Sequence, residues 1–242
     1  MANKFWSLTH PDTLRGMAEW DENVHLEGVK CPVTRTHNSG GRRATDLNVL
    51  LTSTRITDFV WTWYHECLIQ DRVLTLFKEE GFTGFDVKPV KSARMKIKAK
   101  KPDPCDSNPG VKAADAAAVE IPNFWELLIT GWGGVAPEES GVRLKRSCQA
   151  CGMKLYNGIT NASLLVDEKN WDGSDFFIVW PYPKYIFVTA RVASFIKKHK
   201  LTGARLQSMS TMGTSEGAMP GRLLYYLPEK RAKEIGEPLG IY

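Results

Sequence analysis

Residues 148–152, Cys-Gln-Ala-Cys-Gly, constrain this chain more than any other stretch. Two thiols separated by two residues and followed by glycine form half of a zinc knuckle, and a tetrahedral structural site needs four ligands. A second segment must therefore come to meet Cys148 and Cys151. Gly152 suits the turn because glycine tolerates positive φ and lets backbone N–H groups face the thiolates. The segment with a matching start is residues 30–37, Lys-Cys-Pro-Val-Thr-Arg-Thr-His. Cys31-Pro32 opens it, but Thr34 stands where a second thiol is expected and Arg35 where the glycine is expected. His37 is the candidate fourth ligand, across a gap that does not reproduce the tight turn. Two readings stay open: a degenerate knuckle pair holding one structural zinc on Cys31, Cys148, Cys151 and His37, or a site that has lost its metal and survives as packed thiols. A redox reading fares worse, because a thioredoxin-like Cys-x-x-Cys opens a helix, whereas residues 152–158 read as a strand and a turn.

The remaining cysteines, Cys67 and Cys105, have no partner pattern. Five scattered cysteines argue for reduced thiols over a disulfide framework. The N-terminal residues lack the apolar core of a leader peptide, and no apolar run approaches the length of a membrane span, so the expected location is the cytoplasm. With 242 residues and 43% hydrophobic content, one compact domain over 1–242 is expected. A net charge of +5 is mild for that length and points only weakly to nucleic acid.

The pattern along the chain predicts an α+β fold of antiparallel sheets with a few packed helices. Strands are expected at "KFWSL", across "DENVHLEGV" and at "LNVLL", with a loop carrying Arg42 and Arg43 between the last two. Residues 57–80 place Trp61, Tyr64, Leu68, Leu74 and Phe77 at three- to four-residue steps and predict a helix ending at Gly81. Residues 85–101 read as a lysine-rich strand near a sheet edge, where such charge discourages pairing with other chains. A long loop is expected near 102–120, rich in proline and small residues. "SLLVD", "DFFIVW" and "YIFVT" read as strands, and "FWELLITGWGG" is ambiguous between a short helix and a buried strand, with its terminal glycines favouring the strand. Thr189 is expected to cap a helix with Val192, Phe195, Ile196 and His199 on one face.

Other chemical motifs are sparse. There is no H-E-x-x-H and no phosphate loop, and the five histidines fall in no catalytic pattern. Asp172 and Asp175 in "WDGSDFF" offer a paired-carboxylate site, although Asp-Gly and Ser-Asp before an apolar strand more often build the turn that enters it. The basic run from Lys88 to Lys101 carries no aromatic for base stacking, so nucleic acid is not the expected partner. In "WPYPKY" the prolines hold Trp180, Tyr182 and Tyr185 in an extended loop, which is read either as a partner contact or as core rim.

"CPVT", "CQACG", "WDGSDFF", "IFVTARV" and "LTGARL", in that order, resemble the myxobacterial double-CXXCG paralogous family. The likeness spans most of the chain and is strongest from Val142 to Leu206. It implies an immunity protein, not an enzyme, that neutralises a contact-delivered toxin by direct stoichiometric binding, with the toxin encoded by a neighbouring gene. The alternative is a zinc-ribbon-like module touching nucleic acid through Arg42, Arg43 and the Lys88–Lys101 strand.

Overall fold

A computed structural model of the chain describes residues 4–11, 17–37, 39–53, 55–95, 120–212 and 217–242. The first half holds β1 (Phe5–Thr9), β2 (Ala18–Trp20), β3 (Leu26–Val29), β4 (Ser39–Arg43), β5 (Asn48–Leu51), β6 (Phe59–Trp61), β7 (Cys67–Gln70), α1 (Asp71–Glu79) and β8 (Phe85–Arg94). The second half adds β9 (Phe124–Ile129), β10 (Trp132–Val135), β11 (Leu144–Ser147), β12 (Lys154–Tyr156), β13 (Phe176–Trp180), β14 (Ile186–Thr189), α2 (Ala190–Lys198), β15 (Arg205–Ser208) and α3 (Glu229–Leu239).

These form two larger sheets and two ribbons. One sheet has five strands in the order β10-β13-β14-β1-β15, and the other has six in the order β2-β5-β8-β9-β7-β6. Pairing is antiparallel except for β10 with β13 and β5 with β8. The ribbons are β3-β4 and β11-β12. The α+β expectation of mostly antiparallel sheets with a few helices describes this architecture.

Strand periodicity explains how the sheets stack. Along β13 every residue is buried, because Phe176, Ile178 and Trp180 enter one hydrophobic cluster while Phe177 and Val179 enter another on the opposite face. The first cluster gathers Leu127 and Ile129 of β9, Ile186 and Val188 of β14, Phe77 of α1 and Val192 of α2, so it joins both sheets to their helices. Phe77 sits at its centre, with Phe59, Phe82, Phe85, Phe176 and Phe195 rings 5.2–6.3 Å away. A third cluster covers the outer face of the six-stranded sheet with Val49, Leu51, Val60, Leu68, Val90 and Phe124.

Several sequence expectations are corrected by this arrangement. Residues 57–80 are not one helix: β6 and β7 form a hairpin through Thr62–Glu66, and α1 begins only at Asp71. The helical spacing there is coincidental, since Trp61 and Leu68 sit in different clusters on opposite sheet faces. The lysine-rich strand is not an edge; β8 lies between β5 and β9, and Lys88 and Lys91 are exposed. Its continuation from 96, and the long loop expected near 102–120, lie outside the described residues except for Glu120. Arg42 and Arg43 belong to a strand instead of a loop. "SLLVD" is not a strand: its first two residues end a 3-10 turn at Ala162–Leu164, where the Asn161 side chain accepts a hydrogen bond from the Ser163 N–H. Thr189 stands at the N-cap of α2, but its hydroxyl donates to Asp175 Oδ1 at 3.0 Å and caps nothing.

Candidate metal centre

The two ribbons bring the four candidate ligands together. The segment between β3 and β4 carries Cys31 and His37, and the turn between β11 and β12 carries Cys148 and Cys151. That turn closes through the Gly152 N–H donating to the Cys148 carbonyl and the Cys148 N–H donating to Met153, both at 2.8 Å. Gly152 has φ of 71°, a left-handed conformation with no penalty for glycine.

The facing segment reaches the same point by another route. Thr34, standing where a second thiol was expected, accepts from the Thr36 N–H at 3.3 Å and pairs with the Thr36 hydroxyl at 3.0 Å. This local turn brings His37 around, with Nδ1 3.9 Å from the Cys151 Sγ. The Cys31 and Cys148 sulfurs are also 3.9 Å apart, and one ligand atom from each of the four residues lies within 4.8 Å of every other. Three sulfurs and an imidazole nitrogen at this spacing can hold a metal ion.

The local electrostatics differ between the thiols. Burial pushes the Cys31 thiol up, but the backbone N–H groups of Thr34 and Val33, with Cys151 and His37, outweigh it and bring it down to about 6. At Cys151 the Met153 N–H favours the thiolate, yet desolvation and the neighbouring Cys148 and Cys31 leave the thiol raised overall. Cys67 is apart from the cluster and fully buried, and burial alone holds its thiol well above the ordinary value. The other histidines do not join the cluster: His199 stacks on Phe195 at 4.1 Å, His10 faces the Pro11 carbonyl, and His65 takes φ of 76° in the hairpin turn.

The remaining sequence candidates are held by hydrogen bonds and packing. Asp172 accepts from the Trp132 and Ser174 N–H groups at 2.8 and 3.0 Å and pairs with Arg231. Asp175 accepts from the Thr83 N–H at 3.1 Å and from Arg191 at 3.0 Å. Both build the entry to β13, as the turn reading expected. Trp180 and Tyr182 are 1% and 4% exposed, and Tyr185 is half-buried. Trp180 Nε1 donates to the Tyr156 hydroxyl, and the Tyr182 hydroxyl donates to the Asn157 carbonyl. These rings therefore belong to the core rim; Trp180 and Tyr182 offer no surface to a partner in this conformation.

Sequence reasoning missed one feature. Glu126 interrupts the apolar run of β9 and is 4% exposed; its carboxylate takes Arg43 Nη2 at 2.5 Å, while Arg43 Nη1 lies 3.7 Å from Glu66. Burial pushes the Glu126 carboxyl up against the opposing pull of Arg43. Glu66 also accepts from Trp20 Nε1 at 3.1 Å, and the Trp20 ring stacks on Tyr64 at 3.8 Å. The group lines a cleft of about 550 Å³. A lone acid on one face of an apolar strand was the available signal. Its partner Arg43, 83 residues away, could not be identified from sequence. No family model matches the chain, and no curated protein matches it either.

Proposed function

We propose that this chain is a metal-stapled binding protein of the double-CXXCG type, acting as an immunity protein that neutralises a toxin by stoichiometric contact. The observation that carries the metal half of this reading is the convergence of Cys31, His37, Cys148 and Cys151 within 4.8 Å. Four ligands around zinc, with bonds of about 2.3 Å to sulfur, define a tetrahedron with edges of about 3.8 Å. The two 3.9 Å contacts are close to that edge, so the donors fit a structural zinc with all positions filled by protein. Zinc would supply a cross-link between the β3-β4 and β11-β12 ribbons, with no open position for substrate. The immunity half rests on the order of "CPVT", "CQACG", "WDGSDFF", "IFVTARV" and "LTGARL". It is consistent with Asp172 and Asp175 being engaged in turns, although it does not follow from them.

The test is co-expression with the toxin-like product of the neighbouring gene, followed by co-purification and metal analysis. Tight one-to-one capture with loss of toxicity supports the reading. A neighbour that stays toxic and is not retained would remove its functional content.

A further inference from the structure

The two segments that carry the ligands share a charge pattern. Residues 28–43 and 143–156 together hold eight Lys and Arg residues and no Asp or Glu, in a chain with 32 basic and 27 acidic residues. Four of the eight are accounted for. Arg43 is paired with Glu126, Arg143 Nε lies 3.9 Å from Glu138, the Lys154 ammonium donates to the Gly240 carbonyl, and Arg42 stands opposite Glu27 in the β3-β4 register. Lys30, Arg35, Lys145 and Arg146 are exposed, and among the described residues none of the four makes an ion pair.

Lys30 and Arg146 lie within two residues of Cys31 and Cys148, whose sulfurs are in contact at 3.9 Å. The cluster therefore gathers on one part of the surface cations that sequence places more than a hundred residues apart. The same segments expose two large aliphatic side chains, Val33 at 74% and Leu144 at 52%. Cations at this density repel one another and raise the local potential, which a complementary acidic surface relieves.

We propose that this metal-joined face is the docking surface of the protein, and that its occupant is an acidic protein surface with an apolar centre. The proposal rests on the partner-binding reading above and names the surface and the chemistry of the partner. A protein is favoured over nucleic acid because the segments expose aliphatic anchors and no stacking platform. Their one aromatic, Tyr156, is half-buried and takes a hydrogen bond from Trp180 at 3.0 Å. Lys30, Arg35, Lys145 and Arg146 form the cationic rim, and Val33 and Leu144 supply the apolar contacts. The metal cluster holds the two halves of the rim in register.

The test uses the zinc-loaded full chain and fluorescence anisotropy with two probes: a 20-residue Glu/Asp/Leu peptide and a 20-nucleotide DNA, single-stranded and duplex. The comparison variant is Lys30→Glu/Arg35→Glu/Lys145→Glu/Arg146→Glu, all surface positions, with its zinc content and melting temperature checked first. The peptide should bind in a salt-sensitive manner and lose about tenfold or more in the variant, with a smaller loss when a chelator separates the ribbons. DNA bound more tightly than the peptide would overturn the assignment to a protein partner. Equal peptide affinity for variant and wild type would overturn the surface itself. Capture of the neighbouring gene product separates the two levels. If wild type and variant both retain it, this surface is wrong while the immunity reading stands. If neither retains it but the peptide distinguishes them, the surface stands and the immunity reading fails.

Discussion

The Sγ atom of Cys31 lies 3.9 Å from that of Cys148, across 117 residues of chain. Each belongs to the connection of a different two-stranded ribbon, and neither ribbon pairs strand-to-strand with the larger sheets. A short ribbon is marginal by itself, so a cross-link between two of them stabilises both.

Metal content tests that relationship. Purified protein is expected to carry one zinc per chain, and Cys31→Ser or Cys148→Ser should abolish it, while Cys67→Ser, in the main core, should retain it. Chelation should lower the melting temperature by about 5 °C or more, equivalent to about 2 kcal/mol for a chain of this size. Full zinc occupancy in Cys148→Ser would sink the assignment.

The buried Arg43–Glu126 pair predicts a different pattern. Glu126→Ala leaves a guanidinium that is only 15% exposed with Glu66, at 3.7 Å, as its one remaining carboxylate among the described residues. The expected cost is about 3 kcal/mol by urea denaturation, whereas Arg43→Met with Glu126→Leu should cost less, because the guanidinium is removed with its partner and Glu66 keeps its hydrogen bonds from Trp20 Nε1 and the Thr62 hydroxyl. Equal losses in the single and double variants would mean that the charges contribute nothing beyond shape.

Asp58 predicts a pH dependence. Its carboxylate accepts from the Thr202 N–H and hydroxyl at 2.7 and 2.8 Å and pairs with Arg72. Burial alone would raise it, but the Arg72 and Thr202 bonds outweigh burial and hold it below its ordinary 3.8. A folded-state value below the unfolded one contributes stability that is complete above about pH 4 and lost as pH falls through the folded value. Asp58→Asn should therefore be less stable than wild type by about 2 kcal/mol at pH 7, with the gap shrinking below pH 4. A gap that stays constant down to pH 2 would show that ionisation is irrelevant there.

Close backbone approach predicts a glycine requirement at Gly131. A Cβ there would meet the Ser174 Oγ at 2.0 Å and the Phe176 carbonyl oxygen at 2.1 Å. Gly131→Ala should lose about 2–3 kcal/mol by forcing β13 away from the β9-β10 turn. Gly81→Ala, with nothing within 4 Å but φ of 71°, should lose only about 1 kcal/mol. Thermal melts of the two variants side by side decide the point.

The sequence by itself determined the strands whose both faces are apolar, such as "DFFIVW" and "YIFVT", because a continuous β-branched and aromatic run bounded by turn residues has few other solutions. It also determined the chemistry of the four candidate ligands, because thiol and imidazole identity does not depend on fold. Residues 57–80 were misread because a hairpin and a following helix happened to place apolar residues at helical steps, and local periodicity cannot tell two sheet faces from one helix face. Only the tertiary structure decided that His37 closes the cluster, since the Thr34–Thr36 turn that carries it there follows no knuckle spacing. The same holds for Arg43 meeting Glu126, for β8 lying inside its sheet, and for Trp180 and Tyr182 being core. Each depends on which strands become neighbours, and that choice is made by burial of non-local surface, which no local pattern records.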